Sequence, residues 1–153
     1  MYEPTDLPVL VSIPARHPDT LADILIDAVL STRETETPHQ AALRIAHARG
    51  QDAGTRAREQ ARPGRLGVER ALTFTETALR RWGFEPARAT PTCVLLRNCP
   101  FHPFAAKAPD LVCGINHAFL DGFLAGLRAS SVQAVLEPRA GECCVRLREH
   151  PTH

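Results

Sequence analysis

Apolar residues recur along this chain with two periods, and the switch from one to the other divides it. Leu7, Val9, Val11 and Ile13 alternate with other residues up to Pro14 and predict a short extended segment over 7–16. Pro18-Asp19-Thr20 is a helix start, after which Leu21, Ile24, Leu25, Ala28 and Val29 follow helical spacing. Thr32 to Pro38 reads as a polar connector. A second helix is expected from near Thr37-Pro38, carrying Ala42, Ile45 and Ala46, stopping before Gly50 and resuming from Asp52 to Ala61. Arg62-Pro63-Gly64 then breaks the region. From Val68 onward, Leu72, Thr75, Leu79 and Trp82 suit one helical stripe, closed by Gly83 as a C′ residue.

Beyond Gly83 the period falls to two. Phe84 to Thr90 and Cys93 to Arg97 predict a hairpin turning through Thr90-Pro91-Thr92. Pro109-Asp110 opens a long helix to about Arg128. In it Val112, Ile115, Phe119, Phe123 and Leu127 form one apolar stripe, and Cys113, His117, Leu120 and Leu124 a neighbouring one. A helix apolar on two stripes is largely buried. Val132, Ala134 and Leu136, a turn at Pro138-Arg139-Ala140-Gly141, and then Cys143, Val145 and Leu147 predict a second hairpin. The expected class is α+β. A mainly helical part over 7–83 joins a hairpin–helix–hairpin part over 84–148, whose strands form a mainly antiparallel four-stranded sheet. Residues 1–153 are expected to make a single domain.

Composition narrows the functions. No apolar run approaches the ~20 residues that span a bilayer, so no membrane role is expected. Met1-Tyr2-Glu3-Pro4 has neither the basic nor the apolar region of an export signal, which points to the cytoplasm. A net charge of +1 argues against a general nucleic-acid-binding surface. Nearly all basic side chains are arginines, Lys107 is the only lysine and asparagine is nearly absent, a bias of GC-rich coding. The locally basic stretch from Arg56 to Arg70 also holds Glu59 and Glu69 and reads as a solvated face.

Five cysteines, an odd number without an export signal, make a disulfide framework improbable and favour free, catalytic or metal-bound thiols. Cys113 and His117 are four apart on the long helix, so both can reach one metal ion. Cys99 follows the first hairpin and precedes Pro100, within a short linker of that helix. Cys143 and Cys144 are adjacent in a strand and point to opposite faces. Cys143 shares its face with Val145 and Leu147, which makes it the better core-facing candidate. Cys93, beside Leu95, reads as a small buried hydrophobe. The candidate ligand set is therefore Cys99, Cys113, Cys143 and His117, with His102 or Cys144 as alternatives for the fourth position. An enzyme is not expected: a catalytic thiolate needs an exposed, electropositive setting, and the helix carrying Cys113 and His117 looks buried. No glycine-rich phosphate loop, Gly-x-Ser-x-Gly elbow or His-Glu-x-x-His motif is present.

The runs Leu-Leu-Arg-Asn-Cys-Pro-Phe-His (95–102), Pro-Asp-Leu-Val-Cys-Gly (109–114) and Gly-Glu-Cys-Cys-Val (141–145) resemble a known family. It is the C-terminal effector domain of bacterial ArsR/DeoR-type winged-helix transcriptional regulators, above all the SufR-like branch that holds an iron–sulfur cluster. The resemblance covers roughly 7–148, with its specificity in 95–145. It implies cluster ligands at Cys99, Cys113 and Cys143. The family's third cysteine falls near Leu127 or Arg128, where this chain has none, so His102, His117, Cys93 or Cys144 would have to substitute. A weaker likeness extends to vinyl-reductase-type small-molecule-binding domains.

The resemblance implies a sensor and dimerisation domain, expected to be a homodimer. It would touch DNA only through a winged-helix domain that this sequence lacks, whether as an excised effector domain or as a stand-alone protein. The cofactor expected is an iron–sulfur cluster or zinc, or none. The alternative is an apolar-ligand module without metal, its pocket lined by Phe119, Leu120, Phe123 and Leu124.

Overall fold

Two adjacent stripes of apolar side chains bury the helix Pro109–Leu127 (α5) along nearly its whole length. Val112, Ile115, Phe119, Leu120, Phe123, Leu124 and Leu127 are all buried along it. In this computed structural model, which describes residues 17–137 and 145–151, the other elements pack on α5 or on the sheet beside it, except the first helix, which packs on the second. The expected extended segment over 7–16, the turn at 138–141, and Cys143 and Cys144 lie outside the described residues.

In chain order the elements are α1 (Pro18–Leu30), α2 (Pro38–Ala61), α3 (Val68–Arg80), β1 (Pro86–Thr90), β2 (Cys93–Leu96), α4 (Phe104–Lys107), α5, β3 (Val132–Leu136) and β4 (Val145–Glu149). The fold is α+β, with one four-stranded sheet in the order β1-β2-β4-β3 and every neighbouring pair antiparallel. Each hairpin pairs with itself, and β4 then joins β2 to close the sheet's centre. The register sets Val94 opposite Leu147 and Leu147 opposite Ala134, so three buried side chains cross the sheet in one row. No helix among the described residues is long and apolar enough to cross a membrane.

Helix α2 corrects the expected break at Gly50: it runs unbroken to Ala61. Its start is a capping box, in which Gln40 N–H donates to Thr37 Oγ1 and Thr37 N–H donates to Gln40 Oε1, with Pro38 at the first helical position. The buried face of α2 carries only small residues: Ala41, Ala42, Ala46, Gly50, Ala53 and Gly54. That face lies against α5 in parallel orientation, closely enough that backbone meets backbone. A Cβ on Gly50 would sit 1.9 Å from the Phe119 carbonyl oxygen, and one on Gly54 2.1 Å from that of Phe123. The fit is reciprocal, because a Cβ on Gly122 would lie 2.1 Å from His47 O, and one on Gly126 2.2 Å from Gln51 O. Glycine in a helix interior costs ~1 kcal/mol relative to alanine. Here its absent side chain is what lets the two helices touch.

Two smaller differences from expectation concern helix ends. Helix α3 stops at Arg80 with Arg81 as its cap, so the left-handed Gly83 (φ +90°) stands two residues past the cap. A one-turn helix, α4, occupies the linker between β2 and α5.

The connector between α1 and α2 is fastened by charge. Arg44 donates through Nη2 and Nε to Glu36 Oε1 and Oε2 at 2.7 and 2.9 Å, and through Nη2 to Ser31 O at 3.1 Å. The Arg44 bonds first, and the Arg33 backbone N–H second, hold the Glu36 carboxyl down at about 2 against a usual 4.5. A depressed carboxylate adds stability above its unfolded-state pKa and loses it as pH falls through its folded-state pKa. The stability advantage of the native chain over Glu36→Gln should therefore be constant above pH 4.5 and shrink away toward about pH 2. Urea midpoints measured along that range check it.

Candidate functional site

Cys99 sits in a loop that leaves β2 and is pinned on both sides. Before it, Asn98 is buried and its Nδ2 donates to the carbonyl of Gly83. After it, the Pro100 carbonyl accepts from His17 N–H at 2.8 Å, and the Phe101 side chain is buried. The Cys99 carbonyl itself accepts from His102 N–H at 3.2 Å, closing a turn. Proline after cysteine disfavours helix at Cys99, while the asparagine amide satisfies the buried Gly83 carbonyl. The cysteine is half-buried against the core.

Cys113 lies in the second turn of α5 and is likewise half-buried against the same core. One turn on, Asn116 is fully buried. His117 is half-buried, and its Nε2 lies 2.9 Å from the carbonyl oxygen of Ala134 on β3. A carbonyl only accepts, so Nε2 carries the proton and neutral His117 keeps its lone pair on Nδ1. That bond serves a core histidine tying α5 to β3. It also matches the usual support of a metal-bound histidine, whose second nitrogen donates to a carbonyl.

The remaining sequence candidates fall as follows. Cys143 and Cys144 lie outside the described residues; the strand they precede starts at Val145, and its core-facing residues are Val145 and Leu147, as the alternation implies. His102 is exposed in the turn after Cys99. Cys93 is not the buried hydrophobe expected. It is half-buried on the face of β2 opposite Val94 and Leu96, in register with Arg148. Apolar residues fill both faces of β2, so its own pattern could not say which face is inner; pairing with β4 decides it. Cys93 therefore lies on the other side of the sheet from the core row that faces α5. Among the described residues no three His, Cys, Asp or Glu side chains converge as metal ligands.

Phe119, Leu120, Phe123 and Leu124 are all buried, and three of them border separate hollows. Phe119, whose ring meets Trp82 edge-on at 5.2 Å, borders one of about 10 Å³. Phe123 borders one of about 420 Å³ between α1, α2 and α3, with Ala53, Ala57, Ala78 and Trp82. Leu124 borders one of about 360 Å³ on the other side, with His117, Asp121 and Gln133.

Asn98 and Asn116 carry the part of the site that sequence reading missed. They are the only two asparagines in the chain, one directly before Cys99 and the other three residues after Cys113. In a chain that otherwise avoids asparagine, that placement was the available signal. His47, whose Nε2 lies 3.5 Å from Asp121 Oδ2 and links α2 to α5, had no readable context. No protein family, curated protein or solved structure matches the chain.

Proposed function

We propose that the chain is a non-enzymatic sensor and dimerisation domain of a cytoplasmic transcriptional regulator, with a metal ion or iron–sulfur cluster held through Cys99, Cys113 and Cys143. His117 would be the fourth ligand through Nδ1, with His102 or Cys144 as alternatives. One observation carries this reading: Cys99 is fixed between two anchors, Asn98 on Gly83 and Pro100 on His17, rather than left in a loose loop. A thiolate ligand set gains from such pre-organisation, because supporting bonds orient ligands before the metal arrives. Two geometric facts agree with it. Cys113 packs on the same core, and β4, which Cys143 precedes by two residues in sequence, starts beside the end of β2. A bound metal would supply charge and fixed geometry. The chain's own residues would carry the signal, since the His17–Pro100 bond ties the Cys99 loop to the start of α1. DNA would be met through a winged-helix domain that is not part of this sequence.

The test is iron, zinc and sulfide content with an absorption spectrum after anaerobic purification. Stoichiometric metal is expected, lost in Cys99→Ser, Cys113→Ser and Cys143→Ser with helical circular dichroism unchanged. Absence of iron and zinc in aerobic and anaerobic preparations, with all five thiols alkylated in the native state, overturns the reading.

A second reading, an apolar-ligand module, is favoured by the hollow beside Phe123, which adjoins another of about 490 Å³ lined by Phe74, Ala57 and Ala78. Trp82, the only tryptophan, borders the first hollow. Saturable quenching of its fluorescence by an apolar ligand supports this reading, and its absence across fatty acids and polycyclic aromatics removes it.

A further inference from the structure

The trough between α2 and α3 is apolar along its floor and basic at its rim. Helix α2 leans on α5 while α3 leans on the sheet, and a gap is left between the two. Small side chains keep it open, Ala57 and Ala61 on one wall and Ala78 on the other. Phe74 borders it, half-buried against the core. The hollow measures about 490 Å³, the size of a small-molecule site. Along α3 and its cap, Arg70, Phe74, Ala78 and Arg81 follow one another at spacings of four, four and three, so two cations flank an apolar strip on one face. No acidic side chain among the described residues lines this hollow. Arg70 is tied to the Arg65 carbonyl at 3.3 Å. The Arg81 side chain makes no hydrogen bond or ion pair among the described residues. Arg81 and Gln60, from opposite walls, also border the neighbouring hollow of about 420 Å³, and so stand where the two meet. That second hollow holds Asp19, whose carboxylate repels an anion.

We propose that this trough binds a medium-chain fatty acid, its carboxylate held between Arg81 and Gln60 and its chain laid over Phe74, Ala57 and Ala78. A guanidinium meets a carboxylate through two parallel N–H donors, and the Gln60 amide supplies a third. Phe74 and Arg81 are seven residues apart, a rise of about 10 Å that a medium acyl chain spans when extended. Both Arg81 and Gln60 are exposed. The head group therefore stays at the wet rim, where pairing costs little desolvation, and burial of the chain supplies most of the affinity. An alcohol of the same length would leave Arg81 without its anion, and a quaternary ammonium would face two guanidinium groups.

The inference rests on the apolar-ligand reading above, whose ligand and head-group site it names, and it is independent of the metal centre. Calorimetric titration of the full chain with decanoate, below its micelle concentration, is expected to give one site per chain. Decanol should bind about tenfold more weakly, and decyltrimethylammonium more weakly still. Arg81→Gln should weaken decanoate about tenfold and leave decanol unchanged, with helical circular dichroism intact because the native side chain is exposed. Ala61→Trp, at an exposed position on the wall, should block both ligands by filling the hollow. Preference for decanoate over decanol, lost in Arg81→Gln, upholds the proposal. Decanol bound as tightly as decanoate, or a decanoate affinity that Arg81→Gln does not lower, overturns it and leaves the apolar-ligand reading standing. Decanoate binding undiminished in Ala61→Trp overturns it as well, by placing the acid elsewhere. No binding of either ligand sinks both.

Discussion

Gly122→Ala is expected to destabilise the fold by at least about 3 kcal/mol, the upper part of the range for overpacked sites. The new methyl would lie 2.1 Å from the His47 carbonyl oxygen and 2.9 Å from its carbon, both backbone atoms inside α2. A backbone carbonyl cannot swing aside as a side-chain end can, so α2 and α5 must separate along their contact. Gly50→Ala should cost as much, with its methyl 1.9 Å from Phe119 O. Gly114→Ala is the matched control. It lies on the same helix as Gly122, but its methyl would meet only the end of Leu43 at 3.3 Å and the His39 ring at 3.6 Å. There the gain in helix propensity, up to ~1 kcal/mol, should offset a slight shift of Leu43. The Gly50→Ala/Gly122→Ala double variant should cost clearly less than the two singles added, since helices already forced apart accept the second methyl. Chemical denaturation of the four variants measures all of this. Equal small losses at Gly114 and Gly122 would show that the helices are not in backbone contact.

Asn98→Ala should cost about 2 kcal/mol, because it strips the buried Gly83 carbonyl of its amide donor. It should also release the loop and raise the native-state alkylation rate of Cys99. Arg97→Ala, at the exposed position next door, should change stability by no more than ~0.5 kcal/mol and leave Cys99 unaffected. An Asn98→Ala protein with native stability and native Cys99 reactivity would mean that the amide does not hold the loop. The readout bears on function directly, since pre-organisation of Cys99 is what supports a ligand role for it. Denaturation midpoints and timed alkylation, followed by mass analysis of the modified peptide, give both numbers.

Much of this architecture was legible from the order of residues, because the governing interactions are local. Alternation within β4, four-residue spacing along α5, the Thr37-Pro38-x-Gln40 start of α2 and the proline-bearing turn between β1 and β2 each act over a few residues. Those elements, and an α+β arrangement with a four-stranded antiparallel sheet, follow from them. What the sequence could not settle depended on a partner far along the chain. Gly50 reads as a helix breaker by propensity, and only its contact with Phe119, almost seventy residues away, makes glycine the residue that fits. The inner face of β2 was undecided until Leu147 of β4 stood opposite Val94, which turned Cys93 outward. The two asparagines are conspicuous in the sequence only by their rarity, and it took the structure to show that each fills a buried polar position near a candidate cysteine. Local chemistry thus determined which elements form. Tertiary contact decided which faces they hide, because burial belongs to a pair of surfaces and one surface alone does not name its partner.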